Sequence, residues 1–291
     1  MSAVPVALYQ IFFSDGKPFN VHAASCSLLS DMIRSRFIGR EHGLMVRECE
    51  FEDLACRQTT SKLRKTREEL IGFTSSRPAN LVVVINTHAD PMDGGLLYGH
   101  NKTTSLDSVC DHMFGHRFPF HHFKKSVLFV VCCGGLAKHG LTEIQRASTK
   151  FDVVFAFGAS MLDPILAISQ FATSIVDFYI IGQEDLWRAI PLSLKQEIMK
   201  HTSIYVGSNG QVQRACDASW RRRPNGEDVR CCRQVAKYMG TDRSGRIKFR
   251  CCVPTHHGSR TFFVTPFPSV SGVRRFLGRR GGPRYMVSLC Q

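Results

Sequence analysis

The chain has 291 residues, a hydrophobic fraction of 43% and a formal net charge of +14. This hydrophobic fraction is enough for a packed core and excludes an intrinsically disordered chain. No apolar run reaches the roughly 18 residues that a membrane span needs, and the N-terminus lacks a secretory signal pattern. We therefore expect a cytoplasmic or nuclear protein with no transmembrane segment, whose 12 cysteines are mostly reduced thiols.

The positive charge is concentrated in the C-terminal quarter of the chain. Residues 213–291 hold 17 Lys and Arg against 4 Asp and Glu, a net +13, which leaves +1 for residues 1–212. Such a shift in composition is typical of a domain boundary. We predict one domain over residues 1–212 and a small basic, cysteine-containing module over residues 213–291.

Apolar periodicity predicts alternating strands and helices in the first domain. In chain order we expect a strand at 6–13, a helix at 22–37, a strand at 44–51, a helix at 59–73, a strand at 80–86, a helix at 106–113, a strand at 127–133, a helix at 136–149, a strand at 153–157, helices at 164–181 and 184–199, and a strand at 204–207. Continuous β-branched runs are typical of strands buried on both faces. The expected fold is therefore α/β, with a mainly parallel sheet flanked by helices.

Chemically capable side chains follow two of these strands. His88 follows the strand at 80–86, and Cys133 ends the strand at 127–133 with Gly134 and Gly135 directly behind it. A histidine can take the proton of a thiol, and the thiolate is the nucleophile. The carboxyl ends of adjacent parallel strands meet at one sheet edge, so His88 and Cys133 are expected to form a catalytic dyad. The glycines would bring backbone N–H groups of an oxyanion hole close to a substrate carbonyl.

The residues Cys132-Cys133-Gly134-Gly135 resemble the last four positions of the caspase signature Q-A-C-[RQG]-G, whose histidine lies about 50 residues upstream. The resemblance covers residues 5–210, is strongest over 80–160, and is closest to uncharacterised CHAT-like proteins of fungi. It implies a caspase-like fold and cysteine-type peptidase activity without a cofactor, acting on a peptide or protein substrate, with Cys133 as nucleophile and His88 as base. Val131 replaces the glutamine of the signature, and Ala89 replaces the glycine that usually follows the histidine.

Three carboxylates are candidates for a pocket that accepts a basic substrate side chain: Asp90, Asp93 and Asp163. The alternative is that they serve turns and helix caps, as aspartates in such positions usually do.

The C-terminal module contains two Cys-Cys pairs twenty residues apart, at 231–232 and 251–252. One cysteine from each pair, together with nearby groups, could hold a structural zinc ion. The expected ligands are Cys216, Cys232, Cys252 and His256. The alternative is a degenerate zinc ribbon or a small β-rich region with incidental thiols, and residues 272–283 are expected to be flexible.

A second class of function is a catalytically inactive, caspase-like interaction domain. In this reading the basic module binds nucleic acid or an acidic protein, because clustered Lys and Arg attract polyanions. The run Arg221-Arg222-Arg223 beside Trp220 would combine cations with a stacking surface.

Overall fold

The structure, a computed structural model, describes residues 4–14, 16, 18–75, 77–217, 229–242, 246–254, 256, 260–264, 273–277 and 283–288. The strands are β1 (Val6–Phe13), β2 (Leu44–Phe51), β3 (Ala79–Asn86), β4 (Leu96–Gly99), β5 (Lys102–Thr104), β6 (Phe123–Val131), β7 (Val153–Phe157), β8 (Ile204–Ser208), β9 (Gln211–Asp217), β10 (Arg230–Cys231), β11 (Gln234–Val235), β12 (Lys237–Thr241), β13 (Ile247–Arg250), β14 (Thr261–Val264), β15 (Val273–Leu277) and β16 (Pro283–Ser288). The longer helices are α1 (Val21–Ser35), α2 (Arg57–Ser75), α3 (Leu106–Phe114), α4 (Gly135–His139), α5 (Leu141–Ala147), α6 (Pro164–Ile181), α7 (Leu186–Ser193) and α8 (Gln196–His201).

The main sheet is mixed and largely parallel. Its strands lie in the order β2-β1-β3-β6-β7-β8-β9-β16-β15. The strands from β2 to β7 are mutually parallel, whereas β8, β9, β16 and β15 continue the sheet in antiparallel pairs. The predicted α/β class with a mainly parallel, helix-flanked sheet is therefore confirmed.

Helices cover both faces of this sheet, which makes a three-layer arrangement. Side chains alternate along each strand, so Leu81, Val83 and Ile85 of β3 pack with α2, α3, α4 and α5, while Val82 and Val84 pack with α1, α6, α7 and α8. Both clusters are apolar, which explains why the central strands appear in the sequence as continuous β-branched runs.

Two of the predicted helices are each split in the structure. The helix expected at 136–149 is interrupted at Gly140, which separates α4 from α5. The helix expected at 184–199 begins after its N-cap Asp185 and breaks near Leu194, whose ψ of 81° is not helical. The hairpin of β4 and β5 was not predicted from the sequence. It comes after the loop that follows β3 in the chain.

Helix α6 is long and apolar enough to cross a membrane by length and composition, with a mean hydropathy of 1.5 over Pro164–Ile181. However, 61% of this segment is buried inside the fold. Its buried residues, among them Ile168, Phe171 and Ile175, pack with α1 and the sheet. Core helices of α/β proteins share this composition.

The C-terminal residues contribute to two sheets. Strand β9 crosses the boundary expected at residue 212, and β16 and β15 return to pair beside it. Strands β12, β13 and β14 form a separate antiparallel sheet over the buried residues Ala236, Ile247 and Phe249. Trp220 and Arg221–Arg223 lie outside the described residues, as do residue 272 and residues 278–282 of the segment that was expected to be flexible. The other residues of that segment belong to β15 and β16.

Candidate active site

His88 and Cys133 occupy equivalent positions beyond two neighbouring strands. Asn86 at the end of β3 pairs with Val131 at the end of β6, and the Thr87 N–H donates to the Val131 carbonyl at 3.2 Å. His88 follows Asn86 by two residues, and Cys133 follows Val131 by two residues. Because paired strands lie about 4.8 Å apart, this register places the two residues beyond the same end of adjacent strands.

The alternation of side chains distinguishes Cys133 from Cys132. Phe129 and Val131 belong to the apolar cluster that includes α1 and α6, whereas Val130 and Cys132 belong to the cluster on the opposite face. Cys132 is 2% exposed, and burial raises the pKa of its thiol far above the ordinary value. Cys133 is half-buried, so it is the more accessible thiol of the pair.

His88 is held by a second histidine that the sequence reading did not single out. His22, near the start of α1, lies with its Nε2 3.3 Å from Nε2 of His88, and the two rings meet edge to face with centroids 4.7 Å apart. On its other side, His22 Nδ1 lies 2.6 Å from Oδ1 of Asn86. The chain Asn86–His22–His88 therefore runs from the buried end of β3 to the candidate base.

The hydrogen bonds of Asn86 make Nδ1 of His22 a donor, and this indicates the tautomers that both rings adopt when they are neutral. Asn86 Nδ2 donates to Ser25 Oγ at 2.7 Å and to the His22 carbonyl at 3.2 Å, so its Oδ1 is the acceptor that faces His22. A neutral His22 then carries its proton on Nδ1 and a lone pair on Nε2. Nε2–H of His88 donates to that lone pair, which leaves the lone pair of a neutral His88 on Nδ1.

The two glycines behind Cys133 are enclosed by the loops on either side. A Cβ atom on Gly134 would lie 2.4 Å from the carbonyl oxygen of Gly158, behind β7. A Cβ atom on Gly135 would lie 2.2 Å from the carbonyl oxygen of Asp90, behind β3. No larger residue fits at either position without backbone movement, so the turn that presents Cys133 depends on both glycines.

The backbone donors of this turn differ in their availability. The Gly134 N–H donates to the Ala159 carbonyl at 2.7 Å, which uses the donor that was expected to serve an oxyanion hole. Within the described part of the chain, no backbone hydrogen bond is formed by the N–H groups of Cys133 or Gly135. Cys133 is partly exposed, whereas Gly135 is buried.

The three aspartates proposed for a substrate pocket all bond to nearby backbone. Asp90 Oδ1 accepts from Met92 N at 2.7 Å, and Asp93 Oδ1 accepts from Gly95 N at 2.7 Å. Asp163 caps α6 through the N–H groups of Ile165 and Leu166. Each carboxylate thus stabilises a turn or a helix start, and a pocket for basic side chains stays a prediction.

The predicted metal ligands are only partly brought together. Cys232 and His256 lie in one cluster, which Cys231 and Cys251 complete, with all ligand atoms within 4.8 Å of one another. Cys252 is exposed and outside this cluster. The side chain of Cys216 lies outside the described residues.

No family model matches the sequence, and no curated protein matches it either. The functional assignment therefore rests on the geometry of this chain. His22 was missed because it stands alone at a helix start, where histidine has many structural roles. The only sequence signal for the relay was Asn86, a polar residue that ends a run of apolar ones.

Proposed function

We propose that the chain is a cysteine-type peptidase with Cys133 as nucleophile and His88 as general base. The observation that carries this proposal is the register of β3 and β6, which pairs Asn86 with Val131 and so aligns His88 with Cys133. The caspase-like resemblance of Cys132-Cys133-Gly134-Gly135 supports the same assignment. The proposed substrate is a peptide or protein, and the proposed location is the cytoplasm or nucleus.

The proposed reaction has two halves, namely acylation of Cys133 and hydrolysis of the resulting thioester. His88 Nδ1 takes the proton of Cys133, and the thiolate attacks the scissile carbonyl to form a tetrahedral oxyanion. The N–H groups of Cys133 and Gly135 stabilise that oxyanion. The His88 imidazolium then protonates the leaving amine, and the resulting thioester is hydrolysed by a water molecule that His88 deprotonates.

The Asn86–His22–His88 chain supports this assignment, because nucleophilic sites need a base that is itself oriented by another group. His22 Nε2 can accept a hydrogen bond from His88 in its neutral and in its protonated state, so the bond persists while His88 gains and loses its proton. Two exposed methionines, Met92 at 81% and Met161 at 82%, extend from the loops behind β3 and β7. They offer apolar surface to a bound peptide on either side of the glycine turn.

The decisive test compares thiol reactivity and peptide cleavage in matched variants. The exposed Cys56 is a competing thiol, because hydrogen bonding with Thr59 lowers its pKa. All variants should therefore carry Cys56→Ser. Iodoacetamide labelling of Cys133 is then followed by mass spectrometry as a function of pH, with and without His88→Ala. Cleavage is measured by new N-termini in a peptide library.

We expect His88→Ala to shift the labelling profile of Cys133 to higher pH, and Cys133→Ala to abolish cleavage with an unchanged melting temperature. Cys132→Ala serves as the control and should retain most cleavage activity. Equal loss of cleavage in Cys132→Ala and Cys133→Ala would contradict the assignment of the nucleophile. An unchanged labelling profile in His88→Ala would contradict the dyad.

A second candidate function is nucleic-acid binding by the sheet of β12, β13 and β14. Lys237 lies opposite Arg250 across β12 and β13, and Lys248 lies opposite Phe263 across β13 and β14. The three cations are exposed, and Phe263 is 46% exposed beside them. We define these four residues as the basic face. Cations next to an exposed aromatic ring suit phosphates and unstacked bases of a single strand.

Binding to this face is tested with a fluorescent single-stranded oligonucleotide in a salt titration. Lys237→Glu, Lys248→Glu and Arg250→Glu together should weaken binding at least tenfold and flatten its salt dependence. The matched control reverses Lys62, Arg64 and Lys65 on the exposed side of α2, which changes the net charge equally. Equal loss in both triple variants would mean non-specific attraction, and binding of an acidic peptide alone would favour a protein partner.

A further inference from the structure

Four metal-binding side chains converge beside the basic face. The Sγ atoms of Cys231, Cys232 and Cys251 and a ring nitrogen of His256 all lie within 4.8 Å of one another. His256 Nδ1 is 3.0 Å from Cys232 Sγ and 3.7 Å from Cys231 Sγ. In a tetrahedral zinc site with Zn–S and Zn–N bonds of usual length, neighbouring ligand atoms are about 3.5–3.8 Å apart. The cluster is therefore close to the size that one zinc ion requires.

Adjacent cysteines rarely bind one ion, because neighbouring side chains on a strand point to opposite faces. Here the strand ends at Cys231, and Cys232-Arg233 form the two-residue turn between β10 and β11. Both turn residues have left-handed backbone, with φ of 49° and 62°. Such turns normally contain Asn or Gly. The unusual turn brings Cys232 Sγ to the same side as Cys231.

The loop after β13 positions the other two ligands, Cys251 and His256. The Cys251 N–H donates to the Arg260 carbonyl at 2.7 Å, which fixes the start of this loop. The Val253 N–H donates to Cys251 Sγ at 3.5 Å, a contact that stabilises a sulfur carrying negative charge. The His256 N–H bonds to the Val253 carbonyl at 3.3 Å, which places His256 one short loop beyond Cys251.

The sheet of β12, β13 and β14 has little else to stabilise it. Among the described residues, its hydrophobic cluster contains only three buried members, namely Ala236, Ile247 and Phe249. Cores of this size usually require a disulfide or a metal ion. We propose that Cys231, Cys232, Cys251 and His256 bind one structural zinc ion, which ties together the two ends of the β12–β13 hairpin.

The test uses full-length protein purified under reducing conditions, and measures zinc per chain by elemental analysis. We expect about one zinc per chain, retained in Cys252→Ser, whose thiol is exposed beside the cluster, and in Cys133→Ser at the candidate active site. Cys232→Ser and Cys251→Ser should each lose the metal. Retention of zinc by both ligand variants, or its loss in Cys252→Ser, would overturn the ligand assignment.

Cobalt substitution keeps the proposal testable if a ligand variant folds poorly. Replacing zinc with Co²⁺ in the wild-type protein should give the visible bands of a tetrahedral ion and thiolate charge-transfer bands in the near ultraviolet. An octahedral cobalt spectrum would overturn the proposal. A protein that contains no zinc and whose mass under non-reducing conditions shows a Cys231–Cys251 disulfide would also overturn it.

Discussion

At the scale of single residues, the most consequential feature is the bond between His22 and His88. The Asn86 amide fixes His22 as an acceptor toward His88, so His22 is expected to be a positioning residue that never touches the substrate. Removing it should leave the base free to rotate and to exchange tautomers.

We therefore predict that His22→Phe lowers the rate of Cys133 alkylation about ten- to a hundred-fold near neutral pH, because a positioning residue should cost less than the roughly 10²–10⁴-fold that the base itself supplies. The pH profile of alkylation should also shift upward. His22→Gln should recover part of the rate, because its amide oxygen can accept the same hydrogen. His121→Phe, at an exposed position, is the control. A rate in His22→Phe equal to that of the control would refute the positioning role.

The cysteine thiols of this chain should differ strongly in reactivity, because some are buried and others are exposed. Burial raises the pKa of Cys26 and of Cys110 to about 12. At pH 8 both therefore remain protonated as well as inaccessible, since a thiol reacts mainly as its thiolate. We predict that mass spectrometry of the native, iodoacetamide-treated protein finds Cys56 and Cys133 modified but not Cys26 or Cys110. Rapid modification of the last two would mean that the sheet is packed differently.

Sequence predicted His88 and Cys133 because each follows an apolar strand, and strand ends converge in a parallel sheet. It could not predict His22, because its approach to His88 depends on how α1 crosses the sheet. For a similar reason, the sequence did not predict that Cys231 and Cys251, rather than Cys252, lie in one cluster with Cys232 and His256. The left-handed turn at Cys232 reverses the alternation that separates the members of a Cys-Cys pair.

At the scale of elements, the glycine turn behind β6 fixes the geometry of the site. A methyl group on Gly135 would meet the Asp90 carbonyl at 2.2 Å, a backbone atom that cannot move by itself. We predict that Gly135→Ala destabilises the protein by about 1–3 kcal/mol, the usual cost of overpacking. Urea unfolding measures this change.

Gly72 in α2 provides the matched control, because nothing lies within 4 Å of the position of its Cβ atom. Gly72→Ala should be neutral or stabilising by up to about 1 kcal/mol, since alanine favours helix. Similar stability in the two variants would contradict the enclosed position of the glycine turn.

Elements with a strong apolar pattern were predicted almost to the residue. The strands expected at 6–13, 44–51 and 153–157 coincide with β1, β2 and β7. Both helices that are split in the structure were predicted, but the breaks within them were missed. The apolar period of 3.6 residues continues through a break when buried residues lie on both sides of it. Such a break depends on how each half packs, which periodicity does not report.

At the scale of the whole molecule, the distribution of charged residues predicted a domain boundary at residue 212, but strand β9 continues through that point. Val212 and Ala215 are both almost fully buried on this strand. A chain that ends at residue 212 therefore loses five of the seven residues of this strand, whereas one that ends at Asp217 keeps all of them.

We predict that the chain ending at residue 217 melts about 4–8 °C higher than the chain ending at residue 212. This difference corresponds to about 2 kcal/mol of lost packing and strand pairing in a domain of this size. Circular dichroism of the two truncated proteins measures it. Equal melting temperatures would show that the residues of β9 beyond 212 do not stabilise the main sheet.

The pairing of β16 with β9 has a consequence for the order in which the protein is made. Until the ribosome has released residues 283–288, β9 has its partner β8 on one side only, and its other edge presents unpaired N–H and C=O groups. A nascent chain that stops anywhere between Asp217 and Pro283 would therefore expose β9 as an edge strand, which can pair with other chains. Residues 283–288 follow the other strands of the main sheet in the chain, so the pairing with β9 can form only after those strands have been made.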